Sequence, residues 1–511
     1  MPCSLYNFLP VLIDILLKRI ASGKEAKAFL KVLRNGKKDK VQVGGLKGSS
    51  AAMLFAGFGY AAESVASKLS GIVLFVLDDQ DEAGYFYHDL LQMMGEDRVL
   101  FFPSSYRRAI KYNQKDAANG ILRTEVLTRL QIRDDGAESD VLYIVSYPDA
   151  VAEKVVSETT LTDNTVPVRV GDSIDLTELE RRMIELGMSR TDYVYEPGQF
   201  AIRGSIVDVY SYSSEMPYRI DFFGDEVDSL RTFDVQSQLS KERVDSMAIV
   251  PEMMNDGAEY VPFLDFLPKD SIVVCHDVVY LCDKVSQIYN DGYSRQAVQI
   301  AGAEGEFLAE ATQMVQGGEE MLKALAEFKI VELKAQGDIQ FSTLPQPLFH
   351  KNFELMKEEL LRLQNEGYKI NIFADSEKQV ERLRDIFAEL AQTDAEKITF
   401  ASAGKAIHEG YIDEGLRESF FTDHQIFDRY HKYSLKSDKA RKGKVALTLK
   451  EIQQFEIGDY VVHIDHGIGQ FGGLVRVPEN GAMVEKIKIT YAGGGTIYVS
   501  IHALHKVSKY K

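Results

Sequence analysis

Over residues 1–150, short uninterrupted apolar runs alternate with helical periodicities. Gly71-Ile72-Val73-Leu74-Phe75-Val76-Leu77 and Asp140-Val141-Leu142-Tyr143-Ile144-Val145-Ser146 are runs of the kind that parallel strands buried on both faces show. They predict an α/β unit with a nucleotide-fold outline. Near residue 165 the rhythm changes, through a helical stretch at 176–186, to alternating strands. Tyr193-Val194-Tyr195, the turn Glu196-Pro197-Gly198-Gln199, and Phe200-Ala201-Ile202-Arg203 predict a hairpin, because Pro then Gly in the central positions presets a type II turn. Further strands are expected at 205–210 and 218–223, so that 151–240 is a sheet-rich module.

The α/β pattern returns at 241–350, with a buried strand at Ser271-Ile272-Val273-Val274. Residues 351–428 then predict a helix at 352–364, a strand at 369–374 and a helix at 378–391, a helicase-type or half-Rossmann lobe. Residues 451–511 are strand and turn throughout. In Lys486-Ile487-Lys488-Ile489-Thr490-Tyr491 the apolar side chains fall on every second position, giving one buried and one wet face. A small curled barrel of the Tudor or SH3 kind closes so few short strands.

A working phosphate loop has the form G-x-x-x-x-G-K-[ST], with glycines that bring N–H groups to the phosphates, a lysine for the outer phosphates and a hydroxyl for Mg. The candidate here is Gly45-Leu46-Lys47-Gly48-Ser49-Ser50-Ala51-Ala52, between an apolar strand and a helix. Ala51 stands where the lysine is needed and Ala52 where the hydroxyl is needed, while Lys47 comes too early in the loop to take over. The second half of such a site is an acidic pair after a buried strand. Cys275-His276-Asp277 stands there instead, and its single carboxylate reads as the cap of the next helix. Two degraded halves at fitting positions describe a relic nucleotide site; a plain loop entering a helix is the alternative.

Composition narrows the function. The 511 residues carry a formal charge of -18, which argues against a surface that grips nucleic acid broadly and favours protein partners. Residues 429–450 reverse the sign, with Arg429, Lys432, Lys436, Lys439, Arg441, Lys442, Lys444 and Lys450 against Asp438. They read as an exposed basic linker, with contact to nucleic acid as the second reading. The 3 cysteines, Cys3, Cys275 and Cys282, match neither a disulfide framework nor a zinc site and point to a reducing cytoplasm. The apolar stretch at 8–17 is followed, not preceded, by basic residues, and reads as an amphipathic helix rather than a signal peptide. No run reaches the ~18 residues of a membrane span. His463 and His466, three apart around Asp465, lack a further ligand and read as structural, so no metal is expected.

Two stretches carry a resemblance. Residues 193–210, Tyr-Val-Tyr-Glu-Pro-Gly-Gln-Phe-Ala-Ile-Arg-Gly-Ser-Ile-Val-Asp-Val-Tyr, with 217–231, Pro-Tyr-Arg-Ile-Asp-Phe-Phe-Gly-Asp-Glu-Val-Asp-Ser-Leu-Arg, resemble the UvrA-binding domain shared by UvrB and bacterial transcription-repair coupling factors. Gly458-Asp459-Tyr460-Val461-Val462-His463-Ile464-Asp465-His466-Gly467-Ile468-Gly469, closing with Tyr498-Val499-Ser500-Ile501-His502-Ala503-Leu504, is similar to the CarD-related, RNA-polymerase-interacting module of those factors, which UvrB lacks. The order of the two, with the eroded loop, points to the N-terminal part of a coupling factor.

The resemblance implies a fold and a division of labour. It implies a degenerate RecA-type UvrB-like lobe in two parts, 1–150 and 241–350, with a UvrA-binding domain inserted at 151–240. A vestigial helicase-like domain at 351–428, the linker at 429–450 and a polymerase-binding barrel at 451–511 follow. It also implies an ATP- and Mg-dependent DNA-translocating motor beyond residue 511, so that these residues carry no catalytic group and meet DNA mainly through that motor. The partners implied are UvrA and the polymerase β subunit, with the chain a cytoplasmic monomer. For UvrA, the implied residues are Arg190, Phe200 and Arg203; the arginines either bind acidic groups or decorate a solvated face, and Ala201 replaces a further arginine of UvrB. For the polymerase, an exposed strand edge at 470–477 would pair with a strand of the β subunit, with Leu474 and Val477 either as anchors or as barrel core. The competing functions are an active UvrB-like helicase or damage-binding enzyme, which needs the missing lysine and acids, and a CarD-like transcription regulator, which needs no UvrA-binding module.

Overall fold

The structure is a computed structural model. It describes the chain apart from residues 1–8, 36–38, 61–68, 106–116, 135–139, 236, 253–258, 294–313, 392, 394–396, 430–432, 434–456, 464–465, 480–481, 493, 501–506 and 510–511. The basic stretch at 429–450 therefore lies outside the described residues apart from Arg429 and Tyr433. The chain forms two compact units, residues 1–158 with 257–435, and 159–256 with 436–511.

In the first unit a seven-stranded sheet joins both expected parts of the α/β lobe. Its order is Ile339–Gln340, Lys40–Gly44, Lys329–Lys334, Ile272–Cys275, Ile72–Val76, Leu142–Ser146, Val99–Phe101, every neighbouring pair parallel. Ile72–Val76 and Leu142–Ser146 are buried at every position, as continuous apolar runs require when helices cover both faces. The helix Leu9–Ser22 forms where an amphipathic helix was expected and packs on the helix Ser50–Tyr60. Phe29, Phe55, Phe58 and Phe75 meet edge-on beneath them, at centroid distances of 4.9–5.9 Å.

A five-stranded mixed sheet follows in the same unit, in the order Thr343–Pro345, Tyr411–Asp413, Glu418–Thr422, Lys369–Phe373, Ala401–Ala403. The helix Phe353–Asn365 starts at Asn352, whose side chain accepts the N–H of Leu355 at 3.1 Å, and it buries Met356, Leu360 and Leu363 against Ile370 and Ile372.

The second unit holds a six-stranded sheet, in the order Ser240–Val244, Glu226–Phe233, Tyr218–Phe223, Ile206–Val209, Gln199–Arg203, Ser189–Arg190. The helix Leu176–Glu185, capped by Asp175, lays Leu179 and Met183 on one face of this sheet over Phe200, Val207, Val209, Ile220 and Leu230. The boundary expected at 240 falls inside the sheet, since Ser240–Val244 pairs with Glu226–Phe233. One expected strand is absent. Gln199 donates to the Glu196 carbonyl at 3.2 Å with Gly198 at φ +83°, so the turn forms, but residues 193–195 are not a strand. Ser189–Arg190 takes that edge instead, pairing in parallel with Gln199–Arg203. Side chains hold the bypassed segment: Gln199 Oε1 accepts the N–H groups of Tyr195 and Glu196, and Gln238 donates to the Val194 carbonyl.

The C-terminal strands form a five-stranded antiparallel sheet, in the order Thr496–Ser500, Ala482–Thr490, Gly467–Glu479, Tyr460–His463, Val507–Lys509. Ile487 and Ile489 are wholly buried with Val461, Phe471 and Val499, as the two-residue alternation required. No ladder closes this sheet into a barrel among the described residues.

Candidate functional sites

The relic loop runs between the strand Lys40–Gly44 and the helix Ser50–Tyr60, with Gly45 at φ +77° and Gly48 at φ +54°. Its geometry is that of a loop able to present N–H groups to an anion. Several of those groups are already spent inside the protein. Gly45 N–H donates to the Lys334 carbonyl at 3.3 Å, Lys47 N–H to Thr343 Oγ1 at 2.8 Å, and Ser49 N–H to the Glu409 carbonyl at 3.0 Å. A methyl group on Gly45 would lie 1.9 Å from the Phe341 carbonyl oxygen, so protein backbone fills the space beside the loop. Ala51 and Ala52 are buried in the helix that follows.

The acidic half differs equally from a working site. Asp277 pairs with Lys334 and caps the helix Val278–Ile288, accepting the Tyr280 N–H at 3.0 Å; the lysine first and the cap second hold its carboxyl down at about 2. Burial pushes the Cys275 thiol up to about 12, which leaves it without thiolate character. His276 places Nδ1 3.1 Å from Asp78 and Nε2 3.4 Å from Glu82. The bond to Asp78 raises the imidazole above its ordinary value. These three could reach one metal ion, and each ring nitrogen of His276 faces a carboxylate, so the group pairs internally.

Sequence reasoning missed Glu332. Its buried carboxylate takes Lys40 at 2.7 Å and Gln42 at 3.2 Å from the neighbouring strand and the Val278 N–H at 2.9 Å from the start of the helix Val278–Ile288. Burial alone would raise it, but those partners outweigh burial and lower it. Its apolar neighbours in Lys329–Lys334 gave no sign that a charge would be satisfied there.

In the six-stranded sheet, Asp208 organises the arginines. Its carboxylate is wholly buried and accepts Arg219 in the two-bonded fork, Nε at 2.7 Å and Nη2 at 2.9 Å, and also pairs with Arg203. Arg203 donates further to the Asp192 carbonyl at 2.9 Å and lies over the exposed ring of Tyr193 at 5.0 Å. Arg190, on the short edge strand, is more than half exposed and pairs with Glu180. Phe200 is corrected from contact residue to core residue: it has no exposed surface, so it holds the strand that carries Arg203. Ala201, opposite Asp208, is also buried. Tyr193 and Tyr195, both exposed, are the surface groups that the expected hairpin had treated as strand.

In the C-terminal sheet, Gly467–Glu479 pairs with Tyr460–His463 only at Gly467 to Gln470, whereas its pairing with Ala482–Thr490 runs on to Glu479. Residues 472–479 therefore have a strand on one side and, among the described residues, none on the other. Leu474 packs, half-buried, on the small core; Val477 pairs with Val484, and its side chain lies outside the described residues. His463 is buried and His466 lies 4.8 Å from it, ring to ring; Asp465 lies outside the described residues.

Comparison with known proteins places two domains on this frame. The UvrB interaction domain matches residues 166–254, the six-stranded sheet with its helix, and the CarD-like/TRCF RID domain matches residues 455–511, the C-terminal sheet. A chain with both is similar to transcription-repair-coupling factors. Such a factor of Bacillus subtilis (strain 168) is 23% identical over 96% of this chain and 47% of its own length. One of Staphylococcus aureus (strain bovine RF122 / ET3-1) is 22% identical over 86% of this chain and 43% of its own length. The chain thus spans about half the length of these relatives.

Proposed function

We propose that this chain is a docking platform for transcription-coupled nucleotide-excision repair, which holds RNA polymerase through its C-terminal sheet and recruits UvrA through its six-stranded sheet. The observation that carries this reading is the presence of a UvrB interaction domain and a CarD-like/TRCF RID domain in one chain. Arg190 and Arg203 are the proposed UvrA contacts. Their charge sits at the surface in defined geometry, one on the edge strand and one braced by Asp208 and Tyr193, and a braced guanidinium loses little freedom on meeting an acidic partner. For the polymerase, the half-paired strand at 472–479 offers backbone groups to a strand of the β subunit, with Leu474 and Val477 fixing its register.

No catalysis is proposed for these residues. Ala51 and Ala52 supply neither charge nor metal ligand, and the loop that would cradle phosphates spends the N–H groups of Gly45, Lys47 and Ser49 on Lys334, Thr343 and Glu409. An active UvrB-like enzyme has no support in that arrangement. ATP hydrolysis, with its Mg, belongs on this reading to the motor that the resemblance implies beyond residue 511, as does most contact with DNA. Among the described residues no helix is long and apolar enough to cross a membrane. A monomer working in the cytoplasm is the proposed setting.

The test is binding of the chain to purified UvrA and, in parallel, to the N-terminal region of the polymerase β subunit, wild type against Arg190→Ala/Arg203→Ala. Loss of UvrA binding with polymerase binding intact supports both assignments. Equal UvrA binding by the double variant overturns the arginine assignment, and failure to bind either partner overturns the platform.

A further inference from the structure

The five-stranded lobe reaches the relic loop through residues 404–410, which connect Ala401–Ala403 to Tyr411–Asp413. Glu409 and Ser49 bond reciprocally: the Ser49 N–H donates to the Glu409 carbonyl at 3.0 Å, and the Glu409 N–H donates to the Ser49 hydroxyl at 3.0 Å. One residue earlier, the His408 N–H donates to Asp89 at 2.7 Å. Asp89 lies on the helix Gln80–Met94, is 2% exposed, and also bonds the Ser49 side chain. The His408 ring stacks on Tyr85 of that helix at 3.6 Å, and His424 bonds the His408 carbonyl at 2.6 Å. A methyl group on Gly48 would lie 2.9 Å from the carbonyl oxygens of both Glu409 and Gly410. Three segments far apart in sequence thus close on one buried carboxylate at the mouth of the loop.

We infer that residues 404–410 are a built-in occupant of the relic phosphate loop, a latch that docks the five-stranded lobe on the seven-stranded sheet and is released by ionisation of Asp89. The inference goes beyond the platform reading and stands without it. The Glu409 carbonyl sits where a bound anion's oxygen would accept from the loop, so the lobe supplies in the same chain what a nucleotide would supply from solution. The groups facing Asp89 are the Ser49 hydroxyl from the loop and the His408 N–H and Glu409 carboxylate from the lobe; Tyr411 is also close enough to feel its charge. No cation balances it among these. Burial therefore holds the carboxyl up at about 7, and the nearby Glu409 adds to the effect. A released Asp89, in water, would titrate near its ordinary value. The docked form binds the extra proton, so the latch is strongest below about pH 4 and weakens, by up to about tenfold per pH unit, as pH rises to about 7; above that it changes little more.

The test is amide hydrogen exchange of the 511-residue chain between pH 5 and pH 8, corrected for intrinsic rates, reading peptides that cover 45–53 and 404–411, with peptides from 199–233 as a control for folding. In the wild type both latch peptides are expected to lose protection together, by roughly tenfold per unit up to about pH 7. Asp89→Asn, which keeps both hydrogen bonds but cannot ionise, is expected to stay protected to pH 8. Gly48→Ala is expected to expose 404–411 while the control peptides hold. Independent exchange of the two latch segments in the wild type, or the same pH course in Asp89→Asn, would overturn the latch.

Discussion

The relic loop and the arginine-bearing sheet put comparable chemistry to opposite uses. Around residues 45–50 the backbone donors of Gly45, Lys47 and Ser49 turn inward, to Lys334, Thr343 and Glu409, and glycines leave room for protein backbone rather than for a ligand. Around Asp208 the buried member is the anion, and of the cations it steadies Arg203 reaches the surface over Tyr193, while Arg219 stays largely covered over the buried ring of Phe233 at 4.7 Å. A group whose partners are all internal contributes to stability. A group braced on one side and wet on the other is prepared for a partner.

The sharpest break of that comparison is at the core that carries the arginines. Phe200→Ala, at a site with no exposed surface, is expected to cost about 3–5 kcal/mol, read as a lower urea midpoint for the six-stranded sheet. Next comes the surface itself. The Arg190→Ala/Arg203→Ala double variant is expected to keep its thermal stability within about 1 kcal/mol and to weaken UvrA binding by about 2 kcal/mol or more, some 30-fold in Kd by biolayer interferometry. A large stability loss without a binding loss would make both arginines structural.

Smaller effects belong to the relic site. His276 is raised by Asp78, so the clamp's contribution is full below the ordinary histidine value and fades as pH rises through the raised one. His276→Gln is expected to remove that pH dependence while changing stability at pH 8 by no more than about 1 kcal/mol, as urea melts across pH would show, since the clamp is half exposed. Restoring the missing groups with Ala51→Lys/Ala52→Thr is expected to produce no binding of a fluorescent ATP analogue at millimolar concentration. Saturable binding would show that the loop's donors are available after all.

The sequence made the erosion of the loop plain, because chemistry at two fixed positions, Ala51 and Ala52, is absent whatever the fold. It also made the buried strands and the Asp277 cap legible, since apolar runs and capping are local. What it hid is non-local. The loop's donors are taken by residues some 300 positions away, among them Thr343 and Glu409, and no periodicity announces such a partner. Tyr193-Val194-Tyr195 has the alternation of a strand, yet Gln199 and Gln238 bind its backbone first, and Ser189–Arg190, too short to show a pattern, takes the edge. The resemblance implies Phe200 as a UvrA contact, whereas the helix Leu176–Glu185 covers that face of the sheet, a packing that no local pattern announces.

The central claim, that one chain carries docking sites for two partners, is tested most directly by mixing the 511-residue chain with RNA polymerase and UvrA and weighing the complexes by mass photometry. A species containing all three, lost with Arg190→Ala/Arg203→Ala while the polymerase complex remains, is the predicted result. Complexes with one partner or the other, but never both, would contradict it.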